Sequence, residues 1–247
     1  MATTNNRLLG VFVIDFSKVT VGVTHLFDCN YLPEKKEQLL VICDERCQYD
    51  WVYEQLMSKG FRRSGNDIYR PHCPSCDSCE SVRLSGKLFT PSRSQKRIRN
   101  RNDKLFTVTF STQADSQCYP LYQKYINMRH RDGSMYPATV EQYEGFLFCK
   151  WLDTVFIHLW HEDKLIGVAV TDIMPNSMSA IYTFYDPDYE KYSLGSYFII
   201  KQLEHCKEKD KDYLYLGYQI DECQKMNYKT KYRPYQRLIR SQWKNFT

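Results

Sequence analysis

An α+β fold is expected, and three stretches carry that expectation. Leu165–Ile173 is a β-branched, apolar run, Pro175-Asn176 breaks it, and Ser179–Tyr185 is a second run rich in aromatics. Two such runs around a short polar break read as an antiparallel strand pair. Ser193-Leu194-Gly195-Ser196 then opens an amphipathic helix, with Tyr197, Ile200, Leu203 and Lys207 near helical spacing, and Tyr213–Leu216 follows as a buried-type strand. A helix that starts on small residues leaves backbone N–H groups pointing outward, a seat for a phosphate or an oxyanion.

The rest of the chain fits around that centre. Phe12–Ile14 and Gln38–Ile42 read as short strands. Tyr49–Lys59 has helical spacing through Tyr49, Val52 and Leu56 and is closed by Gly60. Gly60–Gly65 turns the chain toward Asp67–Arg70, Val82–Leu84 is a strand, and a basic helix runs from about Pro91 to Arg101. Composition shifts near Asn102-Asp103, dividing residues 1–102 from 103–247. Beyond it, Leu105–Phe110 alternates as a strand, Asp115–Met128 and Val140–Phe148 are helical, Thr154–Trp160 is a strand, and Glu222–Lys229 is a short helix. The order of the C-terminal part resembles a GNAT-like acyltransferase fold, in which donor and acceptor meet where the sheet splays. The N-terminal part is expected to be a smaller α+β unit carrying a cysteine cluster.

Composition narrows the class. In 247 residues, 43% hydrophobic content suffices for a core, and a net charge of +5 is too mild to name a partner by itself. Tyrosine, at 20 residues, suits both cores and nucleic-acid-facing surfaces. No apolar run approaches the roughly 18 residues a spanning helix needs, so no membrane is expected. The opening MATTNNRLLG lacks the basic and long apolar regions of a secretory signal. Ten cysteines without such a leader argue for reduced thiols or a metal site in a cytoplasmic protein.

His72-Cys73-Pro74-Ser75-Cys76-Asp77-Ser78-Cys79 has C-x2-C-x2-C spacing. Thiolates two residues apart can wrap one ion from a tight turn, as in zinc and iron–sulfur sites. Cys29 is the expected fourth ligand, with His72, Cys43 and Cys47 as alternatives. Cys118, Cys149 and Cys206 are expected as core residues on helices, and Cys223 as structural.

Positive charge gathers in two runs. Ser92–Arg101 holds five cations and no acid, among them Arg93, Lys96 and Arg97. From Cys223 onward seven more follow without an acid, Lys225, Lys229 and Arg233 included, interleaved with Tyr228, Tyr232, Tyr235 and Trp243. Arginine among aromatics suits unstacked RNA ends, because rings stack on bases while cations hold the backbone. Arginine can equally hold a carboxylate in a bidentate way.

Several stretches together carry a family resemblance: Cys29–Pro33, Gly60–Gly65, Tyr69–Cys73, Pro91–Arg97, Tyr182–Pro187, Ser193–Gly195, Tyr213–Tyr218, Lys225–Lys229 and Tyr232–Pro234. The chain resembles the bacterial aminoacyl-tRNA–protein transferases related to eukaryotic arginyltransferase, and more closely the aspartate/glutamate leucyltransferases, from about Cys29 to Trp243. The resemblance implies transfer of leucine from leucyl-tRNA to the α-amine of proteins beginning with Asp or Glu, which creates an N-degron. The eukaryotic relatives bind a metal or cluster through Cys-x-x-Cys and a Cys-Cys pair. Here Leu32 replaces the partner of Cys29, and His72-Cys73 replaces the pair. The ligand set is therefore rearranged to Cys29, Cys73, Cys76 and Cys79.

An aminoacyl ester is already activated, so aminolysis needs a free amine, placement, and one stabilised oxyanion. No cofactor is required for the chemistry, which leaves zinc or an iron–sulfur cluster a structural or regulatory part. Direct attack is expected, with backbone N–H groups of Leu194 and Gly195 holding the oxyanion or a terminal phosphate. Asp172 or Asp186 would take the amine proton, while Tyr182, Tyr185 and Tyr218 would line the groove. Arg93, Lys96, Arg97, Lys225, Lys229 and Arg233 are the expected contacts to tRNA or to the acceptor carboxylate. Glu190–Ser196 has one glycine and no basic residue opening the turn, which argues against coenzyme A as donor. An arginyl donor, or a metal-stabilised RNA-binding module without catalysis, are the competing readings.

Overall fold

A computed structural model describes residues 14–247. The expected strand at Phe12–Ile14 falls mostly outside them, and Ile14 itself is in no regular element. The N-terminal half supplies β1 (Val21–Val23), β2 (Phe27–Asp28), β3 (Lys36–Glu37), β4 (Leu39–Ile42), α1 (Asp50–Ser58), β5 (Arg62–Ser64), β6 (Asp67–Pro71), β7 (Glu80–Ser85) and α2 (Arg93–Asn102). The C-terminal half supplies β8 (Thr107–Ser111), α3 (Cys118–Arg129), α4 (Val140–Leu147), β9 (Thr154–His161), β10 (Lys164–Ile173), β11 (Ser177–Tyr185), α5 (Leu194–Glu208), β12 (Tyr213–Gln219), β13 (Tyr235–Ile239) and β14 (Gln242–Phe246).

The mixed α+β class holds. An eight-stranded sheet runs in the order β14-β13-β7-β12-β11-β10-β9-β8, and a four-stranded sheet runs β1-β4-β6-β5. The division expected at residue 102 is not a break in the large sheet, because β7 lies between β12 and β13. Alternating Val82 and Leu84 are buried there with Leu214 and Leu216. The helix expected at Glu222–Lys229 is instead a 3-10 turn at Asn227–Lys231. The second basic run continues into the β13–β14 hairpin, whose turn residues Arg240 and Ser241 have φ of 48° and 63°.

Helices cover both faces of the large sheet. α3 and α4 bury Leu121, Tyr122, Ile126 and Leu147 against Phe156, Val168, Val170 and Phe184. α5 buries Leu194, Tyr197 and Phe198 against Ile157, Leu159 and Ala169 on the other face. α2 lies across α5 and starts with a capping box in which Ser92 and Gln95 satisfy each other's backbone N–H groups. Gly65 has φ of +57° and meets Gly145 so closely that a Cβ would stand 2.1 Å from its carbonyl oxygen, so only glycine fits. Among the described residues no helix is long and apolar enough to cross a membrane.

The small sheet and α1 cover the remaining area through Val52, Tyr53, Leu56, Met57 and Ile68, with Tyr215 of the large sheet. Their strongest polar tie is Arg63 on β5. Its Nε and Nη2 donate to Asp172 on β10 at 2.7 and 2.6 Å, and both side chains are fully buried. Burial opposes the Arg63 charge, and Asp172 outweighs it, so the guanidinium pKa rises. Removing one partner of such a pair strands the other. In urea denaturation, Arg63→Met should cost about 3–5 kcal/mol of stability, and Arg63→Met with Asp172→Leu should recover most of it.

Candidate active site

The eight-stranded sheet forks between its two parallel strands. β11 pairs with β12 only over Ser177–Ser179 and Tyr213–Tyr215. Past that point β12 pairs with β7 on its other side, while β11 continues to Tyr185 beside β10. Each strand carries an irregularity at the fork: Ile181 is skipped in the register of β11 with β10, and Leu216 in that of β12 with β7. An extra residue bends a strand and increases its twist, which drives the two apart.

Arg62 fills the fork. It is 7% exposed, its Nη1 donates to the Ser179 hydroxyl at 2.8 Å, and its Nη2 donates to the Ala180 carbonyl at 2.5 Å. Opposite stands Gly217, with φ of +85°, where a Cβ would lie 3.7 Å from Nη2. Lys229 is 3% exposed, and its amine donates to the Met226 carbonyl at 3.2 Å and lies over the Tyr228 ring. Burial, then the Arg62 charge, push its pKa down to about 7, against a small opposite push from Cys223. Tyr69, across the β5–β6 pair from Arg62, and Tyr218 complete this end; burial raises the pKa of both hydroxyls while Arg62 lowers them.

At the wide end of the fork, Tyr185 packs on Tyr125 and against Gly195, with Arg129 over its ring. Tyr182 packs between Tyr122, Tyr125 and Phe146. The N-terminus of the 15-residue α5 opens here, its cap Ser193 in the left-handed region with φ of 56° and no side chain capping it. α2 borders the same turn: Asn102 donates to the Tyr192 carbonyl at 3.0 Å, and Tyr197 donates to Asp103 at 2.6 Å. Arg93, Lys96, Arg97, Arg101 and Lys104 line an open hollow of about 620 Å³ along α2.

Several expectations need correction. Asp172 is no proton acceptor, being 0% exposed with both oxygens taken by Arg63 and one also by Thr154 at 3.0 Å. Asp186 is also buried and caps the following 3-10 turn. Burial raises its pKa, but Lys124 at 2.6 Å and Lys164 at 2.7 Å more than reverse that, leaving a weak base. Leu194 offers only backbone, since its side chain is in the core. Lys229 is interior rather than a surface phosphate contact. Arg233 donates to the Thr247 carbonyl and lies over Tyr235. Lys225 stands by His130, whose pKa is lowered by burial, then by Lys225 and Arg129. Tyr218 turns toward the small sheet and donates to the Gly60 carbonyl at 2.8 Å. Cys118 and Cys206 are buried helical residues and Cys223 is buried, but Cys149 lies in the loop after α4. Arg62, the residue at the fork, is legible in sequence only as part of Gly60–Gly65, with no signal separating it from Arg63.

Cys29, Cys73, Cys76 and Cys79 line one cavity of about 340 Å³, together with His72, Tyr31, Tyr69 and Tyr218. Burial, then the neighbouring Cys73, Cys29 and Cys76, push the Cys79 thiol up to about 12. Four soft thiols on one wall suit zinc or an iron–sulfur cluster by donor chemistry. Their sulfurs face separate partners, however: Cys29 accepts from Leu32, Cys73 donates to Gln38, and Cys76 donates to Ser78. Among the described residues no three His, Cys, Asp or Glu side chains stand together as a ligand set.

Known proteins match this chain over most of its length. Family models described as arginine-tRNA-protein transferase, N terminus and C terminus, match residues 27–97 and 117–239. An aspartate/glutamate leucyltransferase of Aeromonas hydrophila is 49% identical over 225 residues, covering 91% of this chain and 94% of that protein. Proteins of the same name from Shewanella amazonensis and Vibrio cholerae are 48% and 44% identical, over 93% of this chain and 96% and 98% of theirs. Among solved structures, L-PGS from Bacillus licheniformis aligns with 68% of this chain and 48% of its own, at TM-score 0.45 and 13% identity, too slight a likeness to add to the assignment.

The buried amine gives this geometry its own check. In NMR of protein carrying carbon-13 at the lysine side chains, one lysine should titrate near pH 7, charged below and neutral above, and Lys229→Met should abolish that titration. A full set of lysines titrating near 10 would contradict the burial described.

Proposed function

The chain belongs to the aspartate/glutamate leucyltransferases of the arginine-tRNA-protein transferase family, and from that premise we propose that it moves leucine from leucyl-tRNA to the α-amine of proteins beginning with Asp or Glu. The leucylated terminus then marks the protein for degradation. The observation that supports this most is the forked β11–α5–β12 unit, with an uncapped helix N-terminus at its mouth and the basic face of α2 beside it. In this reading the helix N-terminus takes the last phosphate of a tRNA where a coenzyme-dependent acyltransferase would take a pyrophosphate.

The tRNA end enters at the mouth. Arg93, Lys96 and Arg97 hold its backbone, and the first-turn N–H groups at Leu194 and Gly195 receive the last phosphate. Tyr185 offers a face for the terminal base. The leucyl ester then extends along β11, where the irregular stretch around Ile181 presents backbone to the carbonyl oxygen. The acceptor amine attacks the ester carbon directly: the new C–N bond forms, the bond to the ribose oxygen breaks, and no covalent enzyme intermediate is made. The proton lost by the amine passes to the neutral Lys229 amine and on to the departing ribose oxygen. Lys229 thus takes the role first expected of Asp172 or Asp186. Cys29, Cys73, Cys76 and Cys79 line one cavity but do not stand together as a ligand set, and no step of the transfer is routed through a group held there.

The decisive assay incubates the protein with labelled leucyl-tRNA and peptides starting with Asp, Glu or Lys. Label should reach the first two and not the third. Label that never leaves a bound tRNA would favour an RNA-binding module, and transfer from arginyl-tRNA alone would reassign the donor. The log of kcat should climb with pH through about 7 as Lys229 loses its proton, and Lys229→Met should lose that limb with most of the rate. Replacing Arg93, Lys96 and Arg97 together by Gln should weaken tRNA binding and reduce the slope of log affinity against log salt by about 2 to 3. An unchanged slope would remove α2 from the tRNA site.

A further inference from the structure

We propose that Arg62 holds the side-chain carboxylate of the acceptor's first residue and so sets the preference for an acidic terminus. This rests on the transferase reading above and deepens it. The two arginines that open β5 are neighbours in sequence and opposites in electrostatics. Arg63 is neutralised by Asp172. Arg62 is also buried, at 7% exposure against 2%, yet its partners are a hydroxyl and a carbonyl, both neutral, and no carboxylate pairs with it among the described residues. An interior charge without a counter-charge is unfavourable, and Lys229 stands near enough that the charge of Arg62 helps to keep its amine neutral.

The fork therefore holds excess positive charge at its closed end. A guanidinium has five N–H donors in a fixed fork shape, and two are used by Ser179 and Ala180. The remaining donors match a carboxylate. Ser179 is the last β11 residue paired with β12, Ala180 is the first beyond it, and Gly217 leaves the opposite wall without a side chain. An Asp or Glu side chain is short enough that a carboxylate seated on Arg62 brings the α-amine of the same residue alongside Lys229. A phosphate of the tRNA fits less well there, because the basic surface of α2 and the open end of α5 lie at the mouth and the closed end is buried.

Steady-state transfer of leucine to peptides beginning with Glu and with Gln tests this, because the two differ only in the charge at the proposed contact. In the wild-type protein the ratio of kcat/KM for Glu over Gln should be large. Arg62→Gln should collapse that ratio by about a hundredfold, the scale expected for one partner of a desolvated ionic pair, and do so mainly through KM. Arg62→Lys should keep part of the ratio, because the charge stays while the paired donors go. Both variants lose donors to Ser179 and Ala180 but strand no carboxylate, so each is assayed well below its own melting temperature. A ratio left intact in both variants would overturn the proposal, as would an intact ratio with weakened leucyl-tRNA binding, which would give the anion site to the tRNA. A wild-type protein that transfers leucine to neither peptide would instead refute the transferase reading itself.

Discussion

Two consecutive arginines on β5 hold the small sheet against the large one, and the structure depends on their being unlike. Arg63 closes a fully buried bidentate pair with Asp172 and locks the small sheet to β10. Arg62 reaches the next gap, between β11 and β12, and stays uncompensated. Because side chains alternate along a strand, adjacent residues of one strand can be sent to different places. The first position serves the cleft and the second serves the assembly of the layers.

The cleft owes its shape to the sheet rather than to any loop. Two parallel strands, held together for three residues and then forced apart by irregularities at Ile181 and Leu216, create a gap whose walls are backbone. Its wide end carries the uncapped N-terminus of α5, with the C-terminal end of α2 against the preceding turn, and its closed end carries Arg62 and Lys229. Such a gradient suits a reaction between two charged partners that share only one reactive contact. An aminoacyl ester needs no activation, so in the proposed transfer the protein would contribute placement, removal of one proton and a polar backbone.

Much of this was legible in the sequence. The run from Leu165 to Cys206 was read as two strands and a helix, and α1, α2 and α5 fall near their expected bounds because capping and spacing signals were strong, as with Ser92 and Gln95. The β13–β14 hairpin was hidden because its turn uses Arg240 and Ser241 in the left-handed region, where glycine or asparagine would have announced it. The place of β7 inside the large sheet is a long-range pairing that no local pattern encodes. The site was only half visible. Tyr185 and Gly195, which residue type and position single out in the sequence, do stand in contact. A carboxylate at a strand end looks reactive in sequence until its partners are known. Asp172 meets Arg63, 109 residues away in sequence, and Asp186 meets Lys124 and Lys164. A basic run gives no sign that Lys229 is the member that turns inward.

In the proposed transfer the donor ester and the acceptor amine meet in the gap between β11 and β12. A crystal structure with a peptide beginning with Glu and an adenosine carrying leucine through a non-hydrolysable 3′-amide tests it most directly. The peptide's first residue should lie at the closed end with its α-amine beside Lys229, and the leucyl carbonyl should follow β11 inward from the α5 N-terminus. Either ligand seated in the cysteine-lined cavity, or on the far side of α3, would contradict it.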